Sequence, residues 1–310
     1  MNALSKEVFD KAKQFITNHA RPLEVAIFNH HFNNGGINKL IEELKKYQNR
    51  DGGFGHALES DVRLPDSSPV CTDRAMRILM DFDHLEEAKE LIKSAIHYYE
   101  TIYDKERNGW FIVSREVNNH PHAPWWHYNE DVGMTIIDHN WGNSSAEIIA
   151  YLYKYRTYVK TLNVDELVDF AIHYFTNKKE FKSENEIYCY IYLYKVLPES
   201  KQVSLHAAIE QAIDQVIEKD EANYKEYVPA PLDFVPRPKS PRFGISKHAI
   251  TNHLDFLLDR LKKEGVVNPP WDTEGDRFYK DQMKPAYKEW KGVITLENLI
   301  LLKNYNRIIC

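Results

Sequence analysis

The run Ile37-Asn38-Lys39-Leu40-Ile41-Glu42-Glu43-Leu44-Lys45-Lys46-Tyr47-Gln48-Asn49-Arg50-Asp51-Gly52-Gly53-Phe54-Gly55 contains a helix and its terminator. Ile37, Leu40, Ile41 and Leu44 keep the i, i+3, i+4, i+7 spacing of a helix that buries one face. Asp51-Gly52-Gly53 then reads as a turn, since Asp can bond the backbone ahead of it and glycine accepts positive φ without a Cβ clash. Phe54 follows at once and is expected to pack back on the helix just left.

The same spacing recurs outward from this stretch. It is clean at Ala146, Ile149, Ala150, Tyr153; at Val164, Leu167, Val168, Ala171; at Ile209, Ala212, Ile213, Val216; and at Leu254, Leu257, Leu258, Leu261. Weaker versions lie at Val8, Ala12, Phe15, at Ala75, Ile78, Leu79, Phe82, and at Leu296, Leu299, Ile300. Period-2 alternation is scarce, with Trp110-Phe111-Ile112-Val113 the one short strand expected. Ser68-Pro69, Asn143-Ser144-Ser145 and Asn163 suit helix starts, and Gly265 suits a left-handed helix end. Some helices carry charge on one side, such as Leu257 to Glu264. Others carry almost none, such as Ala146 to Tyr153 with Glu147 alone, and Ile187 to Tyr194. Charge on one side means water on one side, so half-exposed and buried helices alternate, as in a double ring or an irregular bundle.

Composition narrows the class. The chain has 310 residues, 43% of them hydrophobic and 28% charged, enough to bury a sizeable core and too apolar for a disordered chain. Its 46 acidic against 40 basic side chains, net -6, argue against a protein that mainly holds nucleic-acid phosphates. No apolar run reaches the ~20 residues of a membrane span. Met1 to Thr17 is too charged for a signal peptide. Cys71, Cys189 and Cys310 are few and far apart, without zinc spacing, so a cytoplasmic, reduced protein is expected.

Gln48 to Gly55, followed by Ser67-Ser68-Pro69-Val70-Cys71-Thr72-Asp73-Arg74-Ala75, resembles the repeat of the terpenoid cyclase and protein prenyltransferase superfamily. Fainter echoes are Asn108-Gly109-Trp110-Phe111, and Pro270-Trp271-Asp272 to Trp290-Lys291-Gly292 ahead of Thr295 and Leu296. The resemblance implies an all-α chain, one α/α toroid over residues 1–310. Five to six helical hairpins would form a double ring with long loops at one end. It implies neither activity of that superfamily. The cyclase Asp-x-Asp-Asp acid is met only by Asp81-Phe82-Asp83-His84, and the Asp-x-Cys zinc pair is absent, Pro69 and Ile187 standing two residues before Cys71 and Cys189.

Three loops concentrate chemistry. The first, Gly55 to Asp66, holds His56, Glu59, Asp61 and Arg63, a set that suits mutually tuned acid–base groups or a salt-bridged surface loop. The second, His120 to Asn143, holds His120, His122, Trp125, Trp126, His127, Glu130, Asp131, Asp138, His139, Asn140 and Trp141. Its readings are acid–base or ligand-binding work, loop packing, or a metal site, although His120-x-His122 lacks the one-turn spacing of helical zinc motifs. The third, Val228 to Gly244, has five prolines that exclude helix. Arg237, Lys239 and Arg242 make it an anion-binding lid or a plain crossover. All six tryptophans, Trp110, Trp125, Trp126, Trp141, Trp271 and Trp290, fall in expected loops or helix edges, where they line a cavity mouth or plug loops onto helices. The tyrosine runs at 98–99, 151–155 and 188–194 read first as packing between helices.

The resulting expectation is a protein that binds a partly apolar, isoprenoid-like small molecule in a central cavity and acts on it by acid–base chemistry. His56, Glu59, Asp61, His127, Asp131 and His139 are the proton-transfer candidates. Arg63, Trp125, Trp126, Asn140, Trp141, Arg237 and Trp271 are the ligand-binding ones. No metal, cofactor, nucleic acid or membrane span is called for, and oligomeric state is not readable. A glycosidase or lyase on an α/α ring, and a non-catalytic binding ring, are the alternatives.

Overall fold

Helix-forming segments account for nearly all the regular structure of the computed structural model, which describes residues 2–271 and 279–308. Asp272 of the faint third repeat, and Cys310, lie outside the described residues. Among the described residues are twelve α-helices: α1 (Lys6–His19), α2 (Pro22–Phe32), α3 (Ile37–Lys45), α4 (Pro69–Leu79), α5 (Glu86–Thr101), α6 (Gly142–Lys154), α7 (Val164–Asn177), α8 (Glu184–Val196), α9 (Glu199–Val216), α10 (Pro231–Phe234), α11 (Lys247–Glu264) and α12 (Lys284–Asn304). One two-stranded ladder joins β1 (Tyr128–Asn129) to β2 (Met134–Thr135).

The chain divides into two compact units, Leu44–Val216 and the combination of Met1–Glu43 with Ile217–Cys310. In the unit of chain ends, α12 packs on α1 and α2, and α1 packs on α2 and α11. Leu4 N–H donates to Arg307 O at 2.7 Å, pairing the two chain ends. Gly292 of α12 passes so close to Ala20 that an added Cβ would sit 2.9 Å from the Ala20 Cβ.

In the continuous unit, α4 packs on α6 and α6 on α8, while α5, α7 and α9 pack against them. The first three run the same way. Gly142 N–H donates to Glu186 Oε1 at 3.0 Å near the α6 and α8 starts, and Lys154 Nζ reaches Asp83 at 2.7 Å beyond the α4 end. The expected contrast between helix kinds is visible. α6 buries nearly every residue from Ser144 to Leu152, whereas α7 and α9 bury single stripes such as Val164, Leu167, Val168, Ala171 and Leu205, Ile209, Ala212, Ile213.

Several local expectations hold. Ser68 Oγ accepts from Cys71 N–H, Asn163 Oδ1 from Glu166 N–H, and Gly265 ends α11 at φ 72°. Others need correction. Trp110 to Val113 is not a strand: its backbone is pinned singly, Ile112 N–H donating to Asp138 Oδ1 at 2.8 Å. Asn143 to Ser145 lie inside α6 rather than capping it, and Ser145 Oγ accepts instead from Trp110 N–H at 3.1 Å. The proline-rich third loop does hold one helical turn, α10, because Pro231 stands first, where its missing N–H costs nothing. Trp290 lies within α12, beyond its first turn.

The Asp-Gly-Gly turn forms as read. Asp51 Oδ1 accepts from Gly53 N–H at 3.0 Å and Ser67 Oγ at 2.7 Å, and Phe54 is fully buried. Gly52 has φ 92°, and an added Cβ there would stand 2.4 Å from Ser94 O, so the turn is seated directly on α5.

Candidate functional site

Loop backbone brings part of the first and second loops together at the N-terminal side of α4. Arg63 N–H donates to Pro121 O at 2.9 Å, Ala123 N–H to Asp61 O at 3.0 Å, and Val62 bridges His122. The buried Asp61 carboxylate accepts from Trp126 Nε1 at 2.9 Å, fixing that ring. Glu59 faces Arg74 of α4 at 3.4 Å, and Arg63 Nη1 donates to Ser60 O at 3.1 Å.

The histidines of this junction are ordered by hydrogen bonds. His122 Nδ1 lies 2.7 Å from His120 O, so that nitrogen carries the proton. Its Nε2 lies 3.2 Å from Nδ1 of the exposed His127, and the two rings stack at 5.4 Å between centroids.

The remaining candidates scatter. His56, at φ 54°, turns its Nε2 to Asn49 Oδ1 at 2.9 Å. Asp131 stands exposed at the β1–β2 tip, and His139 stands exposed in the turn before α6; neither side chain bonds into the loop junction. Asn140 is half-buried in the same turn, its backbone bonded to Ile137 and Asn143. Trp125 is half-buried. Trp141 donates to Arg107 O at 3.1 Å and packs on Phe170 and Tyr174, while the fully buried Trp110 donates to Tyr99 O at 2.8 Å. Trp110 and Trp141 thus plug loops onto helices, while Trp126 ties the second loop to the first. Arg237 and Trp271 belong to the other unit: Arg237 is exposed in a bend, and Trp271 stands edge-on to Tyr227 and Trp290 at 5.6 and 5.3 Å.

The densest chemistry lies where the sequence reading did not look, on the helices themselves. Glu147 of α6 has no exposed side-chain surface and receives Arg77 of α4 through two bonds, Nε to Oε1 and Nη2 to Oε2, each 2.7 Å. Tyr151 donates to its Oε1, and Cys189 Sγ lies 3.5 Å from Oε2. All four contacts come from donors, so Glu147 is a carboxylate. Arg77 keeps 42% of its side chain open to solvent. Tyr192 of α8 lies beneath it, 5.7 Å from guanidinium to ring centroid.

One turn before Arg77, Asp73 is 1% exposed. Its Oδ1 accepts from Tyr99 Oη at 2.6 Å. Burial first, and the Glu147 charge second, push its pKa up to about 8. The one sequence signal for this cluster was the lone Glu147 in an otherwise charge-free helix.

At the C-terminal sides of α4, α6 and α8 lies an open groove of about 460 Å³, lined by Met80, Tyr153, Lys154, Lys195 and Val196. Its lysines stand where helix C-termini favour cations: Lys154 pairs with Asp83, and Lys195 lies 4.8 Å from the Tyr192 ring centroid. Among the described residues, no three His, Cys, Asp or Glu side chains gather as a metal site, and no helix is long and apolar enough to cross a membrane. No family model, curated protein or solved structure matches the chain.

Proposed function

We propose that the Leu44–Val216 unit binds a small, partly apolar molecule bearing an anionic group against α4, α6 and α8, and acts on it by acid–base chemistry. The observation that carries this reading is Arg77: a guanidinium held by two bonds to a fully buried carboxylate, yet open to solvent on its other side. A buried ion pair is a poor way to gain stability, and such a pair with one solvent-facing partner suits a fixed anion site. The N-terminal ends of three parallel helices add positive potential on the loop side. Tyr192 offers an aromatic face beside Arg77, and His127 is an exposed imidazole at the loop junction.

Consecutive hairpins with parallel α4, α6 and α8 support an α/α toroid of the terpenoid cyclase and prenyltransferase kind, and with it an isoprenoid-like ligand. The openness of the groove and its tyrosine and lysine lining favour a second reading, a sugar acid. Calorimetry with geranyl diphosphate and with an oligouronate separates the two. One of them is expected to bind, and Arg77→Met to weaken it tenfold or more, roughly the worth of a charge-assisted hydrogen bond. Unchanged affinity in a folded Arg77→Met protein would remove the anion site and the reading with it.

A further inference from the structure

Two buried oxygens, Asp73 Oδ2 of α4 and Ser144 Oγ of α6, have no protein partner. They are neighbours: Ser144 is near enough to act on the Asp73 carboxyl, yet the two do not meet hydrogen-bond geometry. Asp73 is 1% and Ser144 2% exposed, so bulk water does not satisfy them. Two adjacent unpaired oxygens away from solvent mark a place for a third polar atom between them.

The charges around this place fix its protonation. From α4 comes Arg77, from α5 Tyr99, from α6 Glu147, Tyr151 and Ser144, and from α8 Cys189 and Tyr192. Arg77 is the single cation of this set, and both its Nε and its Nη2 are directed to Glu147. Two carboxyls sharing one cation in a water-poor site do not both ionise. Glu147 is the ionised one, since every group around it donates. Asp73 keeps the proton, and because Tyr99 occupies Oδ1, that proton sits on Oδ2, facing Ser144.

We propose that Asp73 is a resident carboxylic acid that forms with Ser144 a buried subsite for one hydroxyl, ether or carbonyl oxygen, and that it is the proton donor of the Arg77–Glu147 cluster. In the donating step the Asp73 Oδ2–H bond breaks and the proton passes to the ligand oxygen. Asp73 is left as a carboxylate that Tyr99 can donate to, and it takes back a proton from the water that replaces the departing ligand oxygen. The inference deepens the function proposed above and rests on it for the existence of a ligand. The acid itself needs none.

The test is therefore run on the full chain without ligand. Carboxyl carbons of ¹³C-aspartate-labelled protein are titrated by NMR in the wild type, Asp73→Asn and Glu147→Gln. One resonance, missing in Asp73→Asn, is expected to titrate near pH 8 and to move lower in Glu147→Gln, where the repelling charge is gone. A crystal structure is expected to hold a water between Asp73 Oδ2 and Ser144 Oγ. Asp73→Asn keeps the shape of the neutral acid and is expected to melt above the wild type at pH 8 and with it at pH 4. An Asp73 midpoint below pH 5, a collapsed gap at Ser144, or a destabilised Asp73→Asn at pH 8 would each overturn the proposal. A titration near pH 8 beside an Arg77→Met protein of unchanged affinity would instead leave Asp73 standing and the proposed function refuted.

Discussion

Asp73 and Arg77 make opposite demands on the folded state. For Asp73 the folded pKa lies above the unfolded one, so the unfolded chain gives up its proton first. Folding stability is therefore undiminished below about pH 4, falls as pH rises toward about 8, and is flat above that. The span is worth a few kcal/mol, and Asp73→Asn should remove this component from a chemical-denaturation series across pH. For Arg77 the cost lies in what it leaves behind. Arg77→Met strands the fully buried Glu147 carboxylate and is expected to destabilise by about 3 kcal/mol, the low end for a broken buried pair because Arg77 itself is partly hydrated. Adding Glu147→Gln should recover most of that loss. Urea unfolding of the three variants measures it, and additive losses would mean that the pair contributes nothing as a pair.

Helices and turns set where these residues stand. The Gln48–Gly55 turn is docked on α5, with Gln48 Nε2 donating to Gly52 O at 3.0 Å and Phe54 N–H to Thr72 Oγ1 at 2.9 Å. Gly52→Ala should cost more than about 1 kcal/mol, since φ is positive and the new Cβ meets Ser94 O. Phe54→Ala should cost about 3 to 5 kcal/mol as a cavity in a closed core; thermal melts separate the two effects. In the other unit, His253 of α11 accepts from Leu232 N–H at 3.2 Å and so ties α10 down. Burial lowers its pKa to about 3, below its unfolded value. Its contribution is thus whole above about pH 6.5 and is lost as pH falls toward 3. His253→Gln should flatten that acid limb of the stability curve, and an unchanged limb would place the acid sensitivity elsewhere.

The continuous unit has a core of its own: Phe54, Tyr99, Trp110, Tyr151, Phe175 and Tyr190 are all fully buried within its span. A Leu44–Val216 fragment is expected to be helical by circular dichroism and to melt cooperatively, whereas a non-cooperative melt would show that its core depends on the rest of the chain. The helices and the Asp-Gly-Gly turn were legible in the residues because each rests on spacing within one or two turns of chain. α2 escaped, since its buried face includes Glu24, held by Arg21 at 2.6 Å, and so breaks the apolar pattern. The sequence by itself determined the helical class, the turn, the helix ends at Ser68, Asn163 and Gly265, and the contrast between buried and half-exposed helices. Only the tertiary structure decided which polar groups meet. Arg77 and Glu147 are 70 residues apart and Asp61 and Trp126 are 65 apart, while Asp131 and His139, rich in promise, stay at the surface. Periodicity reports which side of a helix avoids water. The partner of a buried charge is chosen by the packing of distant elements, where desolvation makes each such group bind or lose its charge.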